Sequence, residues 1–325
     1  MTLSPRVDAV VALGFTHRQA SFLVTVALHS GYCLRRQYEA FAGIRYGKNV
    51  RLFLDGLVTR GLAVRFAGRA DRGHVYHVHG RALYGAIGEG ENRNRRPASA
   101  ALIARKLMLL DAVIRRPDVV WFATEREKVA LLVDRLHVPL GGLPTRTGAS
   151  RSEGTNARHF MYKLPIFVHV DSLTPHFVYL ATDGSPDAFA AFLREHGALL
   201  RFVPRWSVVV VGLAEWPGMQ AVFDRFAASL AVPATHDDLR WFFERRQLVD
   251  GGNLAQVSVW DLRRYRDLRQ RFDSPLHDAA YTEWLMTGRI STSPPGSPTG
   301  DSHGTLVTDV LPFAYEQFGS LPGVA

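Results

Sequence analysis

Between Gly47 and Gly61 the chain reads Lys-Asn-Val-Arg-Leu-Phe-Leu-Asp-Gly-Leu-Val-Thr-Arg, and its apolar residues fall at a spacing that suits one helix face. Val50, Phe53, Leu54 and Leu57 recur three and four residues apart, the period of a half-buried helix. Arg45, Tyr46, Lys48, Asn49 and Arg51 lie before and around the first turn, largely off that face. Gly61 supplies the residue that ends such a helix. Leu62–Phe66 and His74–His79 then alternate as two strands, joined by the glycine-bounded tip 67–73, which carries Arg69 and Arg72.

Upstream, Thr16 is an N-cap for a helix over 17–30, with Ala20, Leu23, Val24 and Ala27 inward. A short helix, 34–42, has Tyr38 and Phe41 as core residues, and Arg35, Arg36 and Gln37 are placed to reach backbone phosphate. Gly43 and Gly47 allow the tight approach to the next helix. Helix, helix, helix and hairpin in this order is the pattern of a winged helix-turn-helix, whose recognition helix enters the major groove by its polar N-terminal end. The arginines of the tip are suited to an adjacent minor groove or its phosphates. The expected DNA-contacting set is therefore Arg35, Arg36, Arg45, Tyr46, Lys48, Asn49, Arg51, Arg69 and Arg72.

Charge points the same way. The net of +9 over 325 residues sits entirely on residues 1–96, which hold 15 Lys and Arg against 6 Asp and Glu; residues 97–325 hold 24 of each. Excess positive charge confined to one module is the electrostatic footprint of phosphate binding. A single cysteine, Cys33, excludes an intramolecular disulfide and a thiolate-rich zinc site. No apolar run is long enough to span a bilayer, and the first residues lack the layout of a signal peptide. A cytoplasmic, nucleoid-associated protein is the expectation.

The fold class expected is α+β: a winged helix over 1–88, a linker over 89–97 with nothing apolar to bury, a mixed α/β domain with C-terminal helices over 98–290, and a flexible tether and tail over 291–325. A long helix over 98–116 is expected to pack on the second domain or to pair with a copy of itself in a homodimer. Strands are expected at 118–124, 160–170, 177–182 and 206–211, and helices at 125–136, 187–200, 219–230, 237–249, 257–272 and 276–288. In the ribbon, Tyr76 and Val78 should point inward and His77 and His79 outward.

Chemistry is less evident. Cleavage assisted by Mg²⁺ needs clustered carboxylates with a lysine nearby; Glu153, Lys163, Asp171 and Asp183 are the candidates, but the strand at 177–182 lacks an acid-x-Lys pair. His74, His77 and His79 have no cysteine or carboxylate beside them to build a zinc site, and no phosphate-binding glycine loop ends in Lys-Ser or Lys-Thr. No cofactor, metal or enzymatic activity is expected.

The segments Gly47-Lys-Asn-Val and Leu57-Val-Thr-Arg-Gly-Leu62, the strand Val75-Tyr-His-Val78, the helix Ala101-Leu-Ile-Ala-Arg-Lys-Leu-Met-Leu-Leu-Asp111 and the run Arg158-His-Phe-Met-Tyr-Lys-Leu-Pro-Ile-Phe167 resemble replication-relaxation-type winged-helix proteins of plasmids and integrative conjugative elements. The resemblance implies a second domain with a restriction-endonuclease-like fold, often degenerate, and a role in DNA maintenance. The residues themselves imply a sequence-specific duplex-DNA-binding protein, read here as a transcriptional regulator of a mobile element. The alternatives are an accessory replication or conjugation factor acting at an origin, and a metal-dependent nuclease.

Overall fold

The computed structural model describes residues 3–45, 47–67, 73–146, 158–159, 164–231, 235–253, 258–272, 275–290, 302–313 and 315. The fold is mixed α+β, helical at its N-terminus, with sheets of three, five and two strands. It divides into two compact units. The first comprises 1–119, 211–215 and 309–325, and the second comprises 120–210 and 216–308.

The first unit begins with α1 (Leu3–Val11) and α2 (His17–His29). Thr16 caps α2 in a reciprocal box with Gln19, so two of the helix's orphan N–H groups are satisfied locally. Next come β1 (Tyr32–Leu34), α3 (Arg35–Ala42), α4 (Lys48–Thr59), β2 (Ala63–Ala67) and β3 (His74–Val78). The strands form an antiparallel sheet in the order β1-β3-β2, with Cys33 opposite Tyr76 and Arg65 opposite Tyr76 on its other side. Gly43, at φ 63°, ends α3 in the left-handed conformation. Gly47 is extended at φ −170°, and a Cβ there would meet nothing, so its expected role as a second permissive glycine is corrected.

Val50, Phe53, Leu54 and Leu57 of α4 are all buried, as their spacing implied. Each contributes about 1.5–3 kcal/mol by leaving water, enough together to fix which side of α4 faces out. Aromatic packing of Phe53 against Phe15, Phe22 and Tyr38 joins α4 to α2 and α3.

Three expectations about this region need correction. First, 89–97 is not a free linker. After α5 (Arg81–Ala86), Asn94 is fully buried. Its amide donates to the carbonyls of Ala27 and Leu28, at 2.9 and 3.1 Å, and Lys106 donates to its side-chain oxygen at 2.8 Å. A Cβ on Gly31, at φ 77°, would stand 2.4 Å from the Asn94 carbonyl oxygen. Apolar content gave no sign of this because the packing is polar.

Second, the helix expected to open the second domain, α6 (Ala100–Ile114), belongs to the first unit. Ile103, Leu107 and Leu110, the face available for self-pairing, are buried, and Gln37 donates to the Leu107 carbonyl at 2.9 Å. Intramolecular packing takes up these three residues of the expected dimer face, while Leu102 on the same face is 45% exposed. Third, His77 points into the protein. β3 is the central strand, covered on both sides, so alternation between core and solvent does not apply: Tyr76, His77 and Val78 are all buried.

The second unit holds most of a five-stranded sheet in the order β10-β9-β8-β7-β4: β4 (Val119–Phe122), β7 (Ile166–His169), β8 (His176–Ala181), β9 (Arg205–Gly212) and β10 (His303–Val310). The two-residue strands β5 (Thr145–Arg146) and β6 (Arg158–His159) form a separate ribbon. β7 and β8 are an antiparallel hairpin, with Ile166 opposite Phe177. β10 runs alongside β9 in the same direction, since His303 donates to Pro204 and Leu311 to Gly212. The expected flexible tail therefore contains an edge strand over 303–310, and 291–301 lie outside the described residues; of the expected strand at 160–170, residues 160–163 lie outside them and β7 occupies Ile166–His169.

Helix α7 (Glu125–Val129) starts in the expected Thr124–Glu127 capping box and continues as π-helix over Ala130–Arg135. Helices α8 (Pro186–Phe202) and α9 (Met219–Ala231) complete the sheet's core, where Phe189, Leu193, Trp206 and Val208 are buried together. A second cluster of Phe242, Phe243, Tyr265, Phe272 and Tyr281 joins α10 (His236–Asp250), α11 (Val259–Phe272) and α12 (Pro275–Thr287). No helix among the described residues is long and apolar enough to cross a membrane.

Candidate nucleic-acid interface

With the Val50–Leu57 side of α4 facing the core, a step of 100° per residue puts Lys48, Leu52, Asp55 and Thr59 on the opposite side, and Asn49 and Arg51 on its two flanks. Lys48, Asn49, Arg51 and Leu52 are all exposed, as is Arg45 just before the helix. Among the described residues, the side chains of Arg45, Lys48, Asn49 and Arg51 make no hydrogen bond or ion pair.

The helix start adds to this. Gly47 offers no side-chain cap, and the first turn of α4 has no acid. First-turn N–H groups and the positive end of the helix dipole thus meet two cations, Lys48 and Arg51, rather than a carboxylate. That arrangement is unfavourable within the free protein, and an external anion would relieve it. Helix α10 has the opposite design: Thr235 and Asp238 cap it reciprocally, and Asp237 and Asp238 occupy its first turn.

The other expected contacts divide sharply. Arg36 does not project to solvent. It donates to both carboxylate oxygens of Asp111, at 2.7 and 2.8 Å, and its guanidinium lies 3.6 Å from the centroid of the Phe313 ring. Tyr315, buried, donates its hydroxyl to the same carboxylate; burial, then the negative charge of Asp111, pushes that phenol well above its ordinary range. Gln37 is fully buried, bridging the Leu34 N–H and the Leu107 carbonyl. Arg36 and Gln37 are therefore structural, which corrects their expected role at phosphate. Arg35 remains half-exposed, paired with Glu39 one turn on at 3.2 Å. Tyr46, Arg69 and Arg72 lie outside the described residues.

Two arginines near α4 have local tasks. Arg65 on β2 reaches Asp55 at 3.5 Å, offsetting the one carboxylate on the outward side of α4. Arg60 donates to the Leu13 carbonyl at 2.7 Å and lies over the Phe15 ring.

The histidines of β3 do not form a ligand set. His77 stacks on Tyr32 with ring centroids 4.2 Å apart and shares a hydrogen bond with the Asn94 carbonyl oxygen at 3.0 Å. Burial, with His79 and Lys106 nearby, lowers its pKa to about 4 despite the Asn94 bond. No group of three or more His, Cys, Asp or Glu able to hold a metal occurs among the described residues. The structure does not bring Asp171 and Asp183 together: Asp171 lies in the turn joining β7 and β8, and Asp183 follows the far end of β8. Glu153 and Lys163 lie outside the described residues.

No protein-family model, curated protein or solved structure matches this chain. Its function is therefore argued from its own residues.

Sequence reasoning missed Asp111 and Tyr315. A signal for Asp111 was present: it is the only acid in the helix, flanked by Leu109, Leu110, Ala112 and Val113. A lone carboxylate inside an apolar run has to find a partner when the run is buried. Leu52 was also passed over, because an apolar residue off the core face carries no helical period.

Proposed function

We propose that the first unit is a winged helix-turn-helix and that this protein binds double-stranded DNA with sequence preference through α4. The order α1, α2, β1, α3, α4, β2, β3 supports this reading, as does the confinement of the net positive charge to residues 1–96. The observation that carries it is the start of α4: uncapped, free of acids, and flanked by exposed Arg45, Lys48, Asn49 and Arg51. Nothing within the described residues uses these donors, and a phosphate backbone with base edges behind it would use all of them. Asn suits the N6/N7 edge of adenine and Arg the O6/N7 edge of guanine. Arg45 and Lys48 would position on phosphate. Arg69 and Arg72, in the loop joining β2 and β3 by sequence, would hold the adjacent minor groove.

At the level of biology, the proposal is a transcriptional regulator of a mobile element, in keeping with the resemblance to replication-relaxation-type proteins. An accessory factor at an origin would bind in the same way and differ only in where it binds. Selection of sites from a random duplex library by the full chain tests the reading. A shared motif is expected, with Arg51→Ala relaxing it at one position and Arg72→Ala weakening binding to every sequence alike. Unchanged selection and affinity in both variants would reject this interface.

A further inference from the structure

Three features lie close together on the solvent side of α4: Leu52 and Asp55 on its outward side, and Gly56 on the flank that carries Asn49. Leu52 is 54% exposed, one turn beyond Lys48. Gly56, one turn further, lies inside the unbroken helix with ordinary helical backbone, and a Cβ there would meet nothing within 4 Å. Glycine inside a helix costs about 1 kcal/mol relative to alanine, and among the described residues no neighbour or backbone angle requires it. Asp55 lies on the same side as Leu52, held by Arg65 at 3.5 Å. An apolar tip, a gap with no side chain and an offset carboxylate make a surface suited to close approach of something both apolar and negatively charged.

A single exposed leucine is ordinary on a protein surface. This one lies beside Asn49 and among Arg45, Lys48 and Arg51, whose charge selects an anionic partner. The major groove of duplex DNA offers one apolar group among its hydrogen-bonding edges, the 5-methyl of thymine. We infer that Leu52 reads a thymine methyl and that Gly56 gives the clearance for α4 to seat deeply enough to reach it. This inference rests on the DNA-binding reading and adds a base preference that the cationic residues cannot supply.

The test uses the full chain and a duplex site selected by it. Thymines in the site are replaced one at a time by deoxyuridine, which removes only the methyl group. At one or two positions the wild-type protein should lose about fourfold in affinity, the size expected for one buried methyl group. Leu52→Ala should bind thymine and deoxyuridine equally at those positions, with unchanged circular dichroism. Gly56→Ala should melt no lower than wild type yet bind the site at least severalfold more weakly. The inference is overturned if no thymine is sensitive, if Leu52→Ala keeps the full discrimination, or if Gly56→Ala binds as tightly as wild type. A wild-type dimer that Leu52→Ala converts to monomers would also overturn it, by assigning this face to a second copy of the chain. Failure of the wild-type protein to bind any duplex would instead remove the DNA-binding reading itself.

Discussion

Arg36 and Arg51 sit on neighbouring helices of one unit and meet opposite fates. Arg36 is locked between a buried carboxylate and an aromatic ring, with Tyr315 completing the knot. Arg51 is exposed beside an uncapped helix start. In sequence both looked like DNA contacts, Arg36 at backbone phosphate and Arg51 in the major groove. The difference teaches that a basic residue's task is set by whether the fold supplies a carboxylate, and here that carboxylate comes from far along the chain.

The largest effect should come from cutting the knot. Asp111→Ala leaves Arg36 without its counter-charge and the Tyr315 hydroxyl unpaired, and should lower the unfolding free energy in urea by about 3–5 kcal/mol. A loss under about 1 kcal/mol would mean that the knot is not structural. Next in size is the contrast on binding. Arg51→Ala should leave stability within about 0.5 kcal/mol of wild type while weakening duplex binding roughly tenfold. Arg36→Ala should do the reverse, showing mainly as lost stability. If the two variants exchanged phenotypes, the comparison would be broken.

A pH series sharpens the contrast further. The pKa of His77 is lowered to about 4 from an ordinary 6.5. The unfolded chain therefore takes up this proton at higher pH than the folded chain does. The stability that neutral His77 contributes is present above about 6.5 and declines as pH falls toward about 4. The expected signature is an uncharged His77 imidazole at pH 6 by NMR; a ring already protonated there would contradict its burial. The smallest effect belongs to the dipole at the start of α4. Lys48→Glu should stabilise the free protein by about 0.3–1 kcal/mol while weakening DNA binding, a sign reversal that a purely structural lysine would not show.

Much of the fold was legible because its signals are local. The Thr16 and Thr124 capping residues and the buried face of α4 follow from residues within a few positions of one another. The same holds for helices α8 to α12, whose positions match the sequence within a few residues. What escaped depends on distant partners. Asn94 looked like a linker residue because its partners are the carbonyls at the end of α2 and Lys106. The tail looked like a tether because Asp309 pairs with Arg115 and Arg116, and Tyr315 with Asp111. His77 was misplaced because alternation assumes one wet face, and β3 is the middle strand of its sheet. At the candidate site, Lys48, Asn49 and Arg51 were legible by lying off an apolar stripe, whereas the task of Arg36 depended on a helix that begins only at Ala100.

The central claim is tested most directly by titrating the full chain into a labelled mixed-sequence duplex at low salt, beside two variants. One carries Lys48→Ala, Asn49→Ala and Arg51→Ala on α4. The other carries Arg263→Ala and Arg266→Ala, two exposed arginines of α11. The account predicts tight, salt-sensitive binding by wild type, a loss of roughly two orders of magnitude in the α4 variant, and little change in the α11 variant. A wild-type protein that ignores the duplex, or a larger loss in the α11 variant than in the α4 variant, would contradict it.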